Sequence, residues 1–138
     1  MFKISFRKTR RVLSKLNFEN GLIPVVTMNS EGEVLMVAFM DKNALLKTLS
    51  TGFMHYYSRR RGRVWMKGES SGFVQRVLEV KINCENSALL FTVEQEGPGA
   101  CHMGYKTCFY RKILKNGGLK IVENRVFNPK RVYAGRRG

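Results

Sequence analysis

The stretch Phe73-Val74-Gln75-Arg76-Val77-Leu78-Glu79-Val80-Lys81-Ile82-Asn83-Cys84, followed after Glu85-Asn86-Ser87 by Ala88-Leu89-Leu90-Phe91-Thr92-Val93, decides the fold class. Its first run alternates. Val74, Arg76, Leu78, Val80, Ile82 and Cys84 share one face, and Gln75, Val77, Glu79, Lys81, Asn83 and Glu85 share the other. A period of two is that of a half-buried strand. The residues Glu85-Asn86-Ser87 turn the chain, and the apolar run 88–93 returns as a buried strand. Cys84 is thereby expected at the end of a mostly apolar face.

The same reading extends in both directions. Runs 23–28 and 34–40 are apolar and β-rich around Asn29-Ser30-Glu31-Gly32, a hairpin turn. Asp41 can cap a helix over 42–50 that stops at Gly52, with Ala44, Leu45 and Leu49 as its buried face. Runs 53–58 and 63–66 form a second strand pair around Arg60-Arg61-Gly62, and their aromatics Phe53, Tyr56, Tyr57 and Trp65 are read as core. A short basic helix is expected over 12–16, ended by Asn20-Gly21, and a late strand over 119–122. Many short strands with one or two short helices predict an α+β domain built mainly on antiparallel sheet.

A chain of 138 residues is one domain with room for a core. No apolar run approaches the length of a membrane span, and the basic start carries no apolar secretory stretch. Three cysteines cannot all pair within one chain, so reduced thiols in a cytoplasmic setting are expected. The net charge of +15 is unevenly spread. Residues 1–17 hold six Lys/Arg and no acid, residues 111–138 hold nine against Glu123, and residues 18–110 hold ten against nine. The reading is therefore a domain over 1–111, whose first 12 residues are a basic extension, followed by a basic C-terminal extension over 112–138. Such ends are electrostatic handles for polyanions.

All three cysteines fall within 25 residues: Cys84, then Cys101-His102-Met103-Gly104-Tyr105-Lys106-Thr107-Cys108. One cysteine alone is most often a core residue. Three thiols without an evident fourth ligand point instead to zinc with a position open for water, the catalytic arrangement. No two cysteines are separated by two residues, which excludes zinc fingers and the zinc deaminase signature. His102 could be a ligand, a general base or a packed imidazole. Neighbouring side chains diverge on an extended chain, so an imidazole that titrates beside a zinc-bound water is the economical reading. The loop Lys67-Gly68-Glu69-Ser70-Ser71-Gly72 offers amides, hydroxyls and a cation to a phosphate, with Arg59 and Arg111 as further candidates. Its plain alternative is a turn.

In order along the chain, these segments resemble phosphoribosyl-AMP cyclohydrolase, the family that opens the adenine ring in histidine biosynthesis. The matching pieces are Gly21-Leu22-Ile23-Pro24, Gly32-Glu33-Val34-Leu35-Met36, Thr51-Gly52, Tyr56-Tyr57-Ser58-Arg59 and Trp65. They continue with residues 67–72, Gln75, Cys84, Gly99-Ala100-Cys101-His102, Gly104 and Cys108-Phe109-Tyr110-Arg111. The resemblance implies an intertwined homodimer with zinc held by Cys84 of one chain and Cys101 and Cys108 of the other. It also implies a magnesium site at alternate positions around the first cysteine, which the family fills with aspartates. Here those positions hold Asn83, Glu85 and Ser87, and one carboxylate with an amide and a hydroxyl is a weak magnesium set. The implied activity is zinc-dependent hydrolysis of the N1–C6 bond of phosphoribosyl-AMP. His102 would be catalytic, and Arg59, Lys67, Gly68, Glu69, Ser70, Ser71, Gly72 and Arg111 would bind substrate. The alternative is a weakened cyclohydrolase scaffold that serves as a basic, zinc-stabilised nucleic-acid-binding protein.

Overall fold

The computed structural model describes residues 1–133. In chain order it contains α1 (Phe6–Leu13), β1 (Ile23–Asn29), β2 (Val34–Met40), α2 (Lys42–Thr51), β3 (His55–Ser58), β4 (Arg63–Met66), β5 (Gln75–Ile82), β6 (Leu89–Gln95), β7 (Arg111–Ile113), β8 (Leu119–Ile121) and α3 (Pro129–Val132). Six strands form one sheet in the order β4-β3-β2-β1-β6-β5, and β7 and β8 make a separate hairpin. The class is α+β, as expected, with three short helices. The sheet is mixed: β1 and β6 run parallel, and the other neighbours are antiparallel. The parallel pair arises because the chain leaves β4, crosses to the far edge as β5, and turns back as β6 beside β1. Among the described residues no helix is long and apolar enough to cross a membrane.

The helix over 42–50 forms because Asp41 Oδ1 accepts from the Ala44 amide at 2.7 Å. Ala44, Leu45 and Leu49 are buried as predicted. The basic helix lies earlier than 12–16: Ser5 caps it, with its hydroxyl accepting from Lys8 N at 3.2 Å. The segment before it is held to the body. Phe2 N donates to Val77 O at 2.7 Å, Ile4 N to Leu49 O at 2.8 Å, and Thr9 is fully buried. Phe2, Ile4 and Val12 pack on the core, so this stretch covers it. In the C-terminal stretch, β7 was not foreseen and β8 falls on the expected late strand; residues 134–138 of that stretch lie outside the described residues.

Strand β5 corrects the alternation read from sequence. A bulge between Val77 and Glu79 sets two residues opposite one, which inverts the faces beyond it. Gln75 and Val77 are buried and Val80 packs on the core, whereas Leu78 and Ile82 are 39% and 43% exposed. The inward face is thus Gln75, Val77 and Val80.

The sheet curls until its ends meet. Met54 N donates to Gln75 O at 3.0 Å and Val77 N to Gly52 O at 2.8 Å, tying the approach to β3 to the edge strand β5. Inside, the Tyr56 hydroxyl shares a 2.8 Å hydrogen bond with Thr27 Oγ1 and donates to Gln75 Oε1 at 2.7 Å. Gln75 Nε2 donates to Gln95 Oε1 at 2.8 Å, and Gln95 Nε2 donates to Phe73 O at 3.0 Å. Every buried side-chain N or O among the described residues has a partner. Removing one link leaves buried groups unpaired, so Tyr56→Phe is expected to cost about 1–3 kcal/mol in urea unfolding. A double-mutant cycle with Thr27→Val should be strongly non-additive; additive losses would show that the hydroxyls act independently.

Candidate active site

The segment 99–108 is an irregular turn pinned at both ends. Ala100 N donates to Lys106 O at 3.1 Å, and Cys101 N to Tyr105 O at 3.0 Å. Its exit is held along β2, where Thr107 Oγ1 donates to Val34 O at 2.7 Å and Cys108 N to Leu35 O at 2.8 Å. This brings the Cys101 and Cys108 side chains together: the Cys108 thiol is pushed up to about 11, first by desolvation of its sulfur and then by Cys101, while Lys67 pulls it down. A dication reverses that balance, because it coordinates the deprotonated sulfur.

Lys67, a candidate phosphate ligand by sequence, donates from its ammonium to Ala100 O of the cysteine turn at 2.5 Å, with the Trp65 ring 5.7 Å away. Desolvation holds its pKa below the usual lysine range, opposed by negative charge on Cys108 and Cys101. The rest of the loop is shaped by close approach. At Gly68 (φ +87) an added Cβ would lie 2.5 Å from the Phe73 and Val74 backbone, so only glycine fits. Gly72 N closes the turn on Gly68 O at 2.8 Å, and Phe73 N is held by Ser71 Oγ at 3.1 Å.

A cleft of about 1090 Å³ opens beside this turn, at the upper end of small-molecule sites. Of the predicted substrate residues, Arg59, Lys67, Gly68, Glu69, Ser70 and Ser71 line it, and exposed His102 lines it too. Gly72 and Arg111 are not in its lining; the Arg111 guanidinium sits over Tyr110, 5.4 Å from the ring centre, on β7. Trp65 has a double role, packing 5.4 Å from Tyr56 and walling the cleft.

Cys84 is apart from the other two thiols. It is exposed in the turn between β5 and β6, and no three His, Cys, Asp or Glu side chains among the described residues converge enough to hold a metal. Asn83 builds that turn: its Oδ1 accepts from Ser87 N at 2.7 Å and Ala88 N at 3.0 Å, and its Nδ2 donates to Ser87 Oγ at 3.0 Å. Asn83 and Ser87 are thus engaged with each other, which leaves Glu85 as the carboxylate there.

Two thiols in a turn held by a half-buried lysine, with an imidazole lining a cleft that also carries Arg59 and Lys130, have the make-up of an enzyme site for an anionic small molecule. Comparison with known proteins makes this specific. The phosphoribosyl-AMP cyclohydrolase family model matches residues 36–110. The chain is 45% identical over 134 residues to the phosphoribosyl-AMP cyclohydrolase of Desulforapulum autotrophicum, covering 96% of this chain and 99% of that one. It is 50% identical over 120 residues to the enzyme of that name from Methanothermobacter thermautotrophicus, covering 86% of each. Against the histidine biosynthesis bifunctional protein of Pyrococcus furiosus it is 53% identical over 105 residues, covering 75% of this chain and 50% of the relative. The chain belongs to the phosphoribosyl-AMP cyclohydrolase family, hydrolases of histidine biosynthesis.

Sequence reasoning missed the inward turn of Lys67, for which no sequence signal exists, and the cleft residues Pro129, Lys130 and Tyr133. The latter were within reach: Asn128 followed by Pro129 is a helix-start signal. In metal-free protein, the alkylation rate of Cys108 should climb through about pH 11, since only the thiolate reacts. Zinc should suppress it at every pH. A midpoint near that of an ordinary thiol would show that Cys101 and desolvation do not act on it.

Proposed function

We infer that this chain hydrolyses phosphoribosyl-AMP, opening the adenine ring at N1–C6, with zinc held by Cys101 and Cys108 of one copy and Cys84 of a second. The observation that carries this is the paired Cys101 and Cys108 side chains, fixed by Lys67, in a turn whose His102 lines a nucleotide-sized cleft. The donors fit the metal: thiolates suit zinc, and three of them leave a fourth position open. Exposure of Cys84 in the single chain fits a ligand supplied across a dimer. Reduced thiols of this kind suit a cytoplasmic setting.

Zinc, when bound, supplies a water whose pKa is lowered. The chain's own groups do the rest. Arg59 and the hydroxyls of Ser70 and Ser71 hold the phosphate groups, with Trp65 as an apolar wall. Water oxygen adds at C6, which becomes the carboxamide carbon, and N1 leaves with a proton. His102 takes a proton as oxygen adds and delivers one to N1 as the bond breaks. Lys67 keeps the thiol turn in place through Ala100 and offsets its negative charge. At the magnesium positions, Asn83 and Ser87 close the turn on each other, so Glu85 alone offers a charged ligand.

Incubating the purified protein with zinc and phosphoribosyl-AMP should give the ultraviolet change of purine opening. His102→Ala should lower kcat by about 10²–10⁴ and retain zinc; parallel loss of zinc would make His102 a ligand. Mixing Cys84→Ala with Cys101→Ala protein under subunit exchange should restore about a quarter of the wild-type activity, because half the dimers then carry one complete site. No recovery with exchange demonstrated would put each site within one chain. Added magnesium should change turnover little, and Asn83→Asp with Ser87→Asp should raise magnesium affinity in titrations. Strong saturable dependence in the unaltered protein would reveal other ligands.

A further inference from the structure

One wall of the cleft comes from the chain beyond β8. Pro129, Lys130 and Tyr133 line it together with Arg59, Ser70 and His102, although they follow β8 in the chain. They are brought there by defined contacts. Arg125 Nε donates to Met103 O at 3.0 Å, and Val126 N donates to Gly104 O at 2.8 Å. Gly104 has φ +97, and Phe127 O lies 2.6 Å from where a Cβ would stand, so any side chain at 104 displaces the segment. Phe127 packs edge-on against Phe73, the residue that ends the 67–72 loop, at 5.2 Å. Asn128 Oδ1 then accepts from Lys130 N at 3.0 Å and starts α3. The segment is fastened both to the turn bearing Cys101 and His102 and to the end of the phosphate loop.

Its charge matches an anionic ligand. Residues 124–133 contain Arg125, Lys130 and Arg131 and no acid. Two lysines line the cleft, and the ammonium of Lys67 is committed to Ala100 O. Among the described residues no carboxylate pairs with Lys130.

We propose that the segment 125–133 completes the substrate site, with Lys130 as a substrate-binding residue that contacts one phosphate group of the nucleotide. This rests on the cleft being the phosphoribosyl-AMP site. Lys130→Ala should raise the KM for phosphoribosyl-AMP about tenfold, the usual scale for a charge-assisted hydrogen bond. Its kcat should stay within about twofold and its zinc content unchanged, whereas Lys130→Arg should recover most of the affinity. Lys120→Ala, the same charge loss on exposed β8, should leave KM as it was. A wild-type KM in Lys130→Ala overturns the proposal, as does a loss of kcat together with zinc, which would make the residue purely structural. Calorimetric titration with AMP separates the two readings. If the wild-type protein fails to open phosphoribosyl-AMP, the activity assignment falls. Weaker AMP binding by Lys130→Ala would still support a phosphate contact there, and equal binding or none would overturn it.

Discussion

The hydroxyl of Tyr56 lies between Thr27 on β1 and Gln75 on β5, and the sheet curls around that contact. In the strand order these residues belong to strands that are not neighbours: β3 and β5 are separated by three others. An open twisted sheet would hold them far apart, and only curling lets one phenol reach both partners. Such a buried polar chain stabilises the fold only when each member is satisfied, which makes it a strict selector of one geometry. The chain also runs outward. Gln95 Nε2 donates to Phe73 O and Glu96 O, so the network ends at the residue that terminates the 67–72 loop. Closure of the core and shape of the cleft are therefore one constraint.

Electrostatics at the cysteine turn follow from the same closeness. Lys67 is desolvated and its pKa lowered, and the Cys108 thiol is desolvated and raised; each weakens the other's shift. In the metal-free chain the Cys108 thiol keeps its proton, since its thiolate would be poorly hydrated and close to the Cys101 sulfur. On the proposed reading, a dication held by the thiolates would remove that cost, and Lys67, already bonded to Ala100 O, would sit beside the remaining negative charge.

The elements that could be read from sequence are those governed by short-range rules. Asp41 and Gly52 bound a helix by capping, and the Asn29–Gly32 turn joins two apolar, β-rich runs. What could not be read depends on contacts between distant segments. The parallel pairing of β1 with β6 leaves no local mark. The bulge at β5 inverts a face at Val77-Leu78, where two apolar neighbours are the one break in the alternation after Gln75 and do not by themselves say which of them turns inward. Charge alone also does not show that Phe2 and Ile4 bond into the body and that Arg125 bonds to the cysteine turn, contacts set by the fold of distant segments. In the site the residue types were legible and their directions were not. Lys67 and Ser70 belong to one short loop and both line the cleft, but the Lys67 ammonium bonds to the thiol turn.

Exposed apolar residues bear on how a complete metal set could form. Ile82, two positions before Cys84, is 43% exposed, and Phe109, directly after Cys108, is 57% exposed. Val34 and Val37 on β2, the strand that holds Cys108 through Leu35 O, are 41% and 49% exposed. Scattered apolar surface is ordinary, but these residues adjoin both halves of the proposed ligand set. On the proposed reading, a contact that carries Cys84 of one copy to Cys101 and Cys108 of another also removes Ile82 and Phe109 from water. Apolar burial would then drive association, and the metal would fix its register. On that reading, neither a chain folded alone nor a dimer docked elsewhere would satisfy both requirements, and the hydrolytic chemistry would depend on assembly.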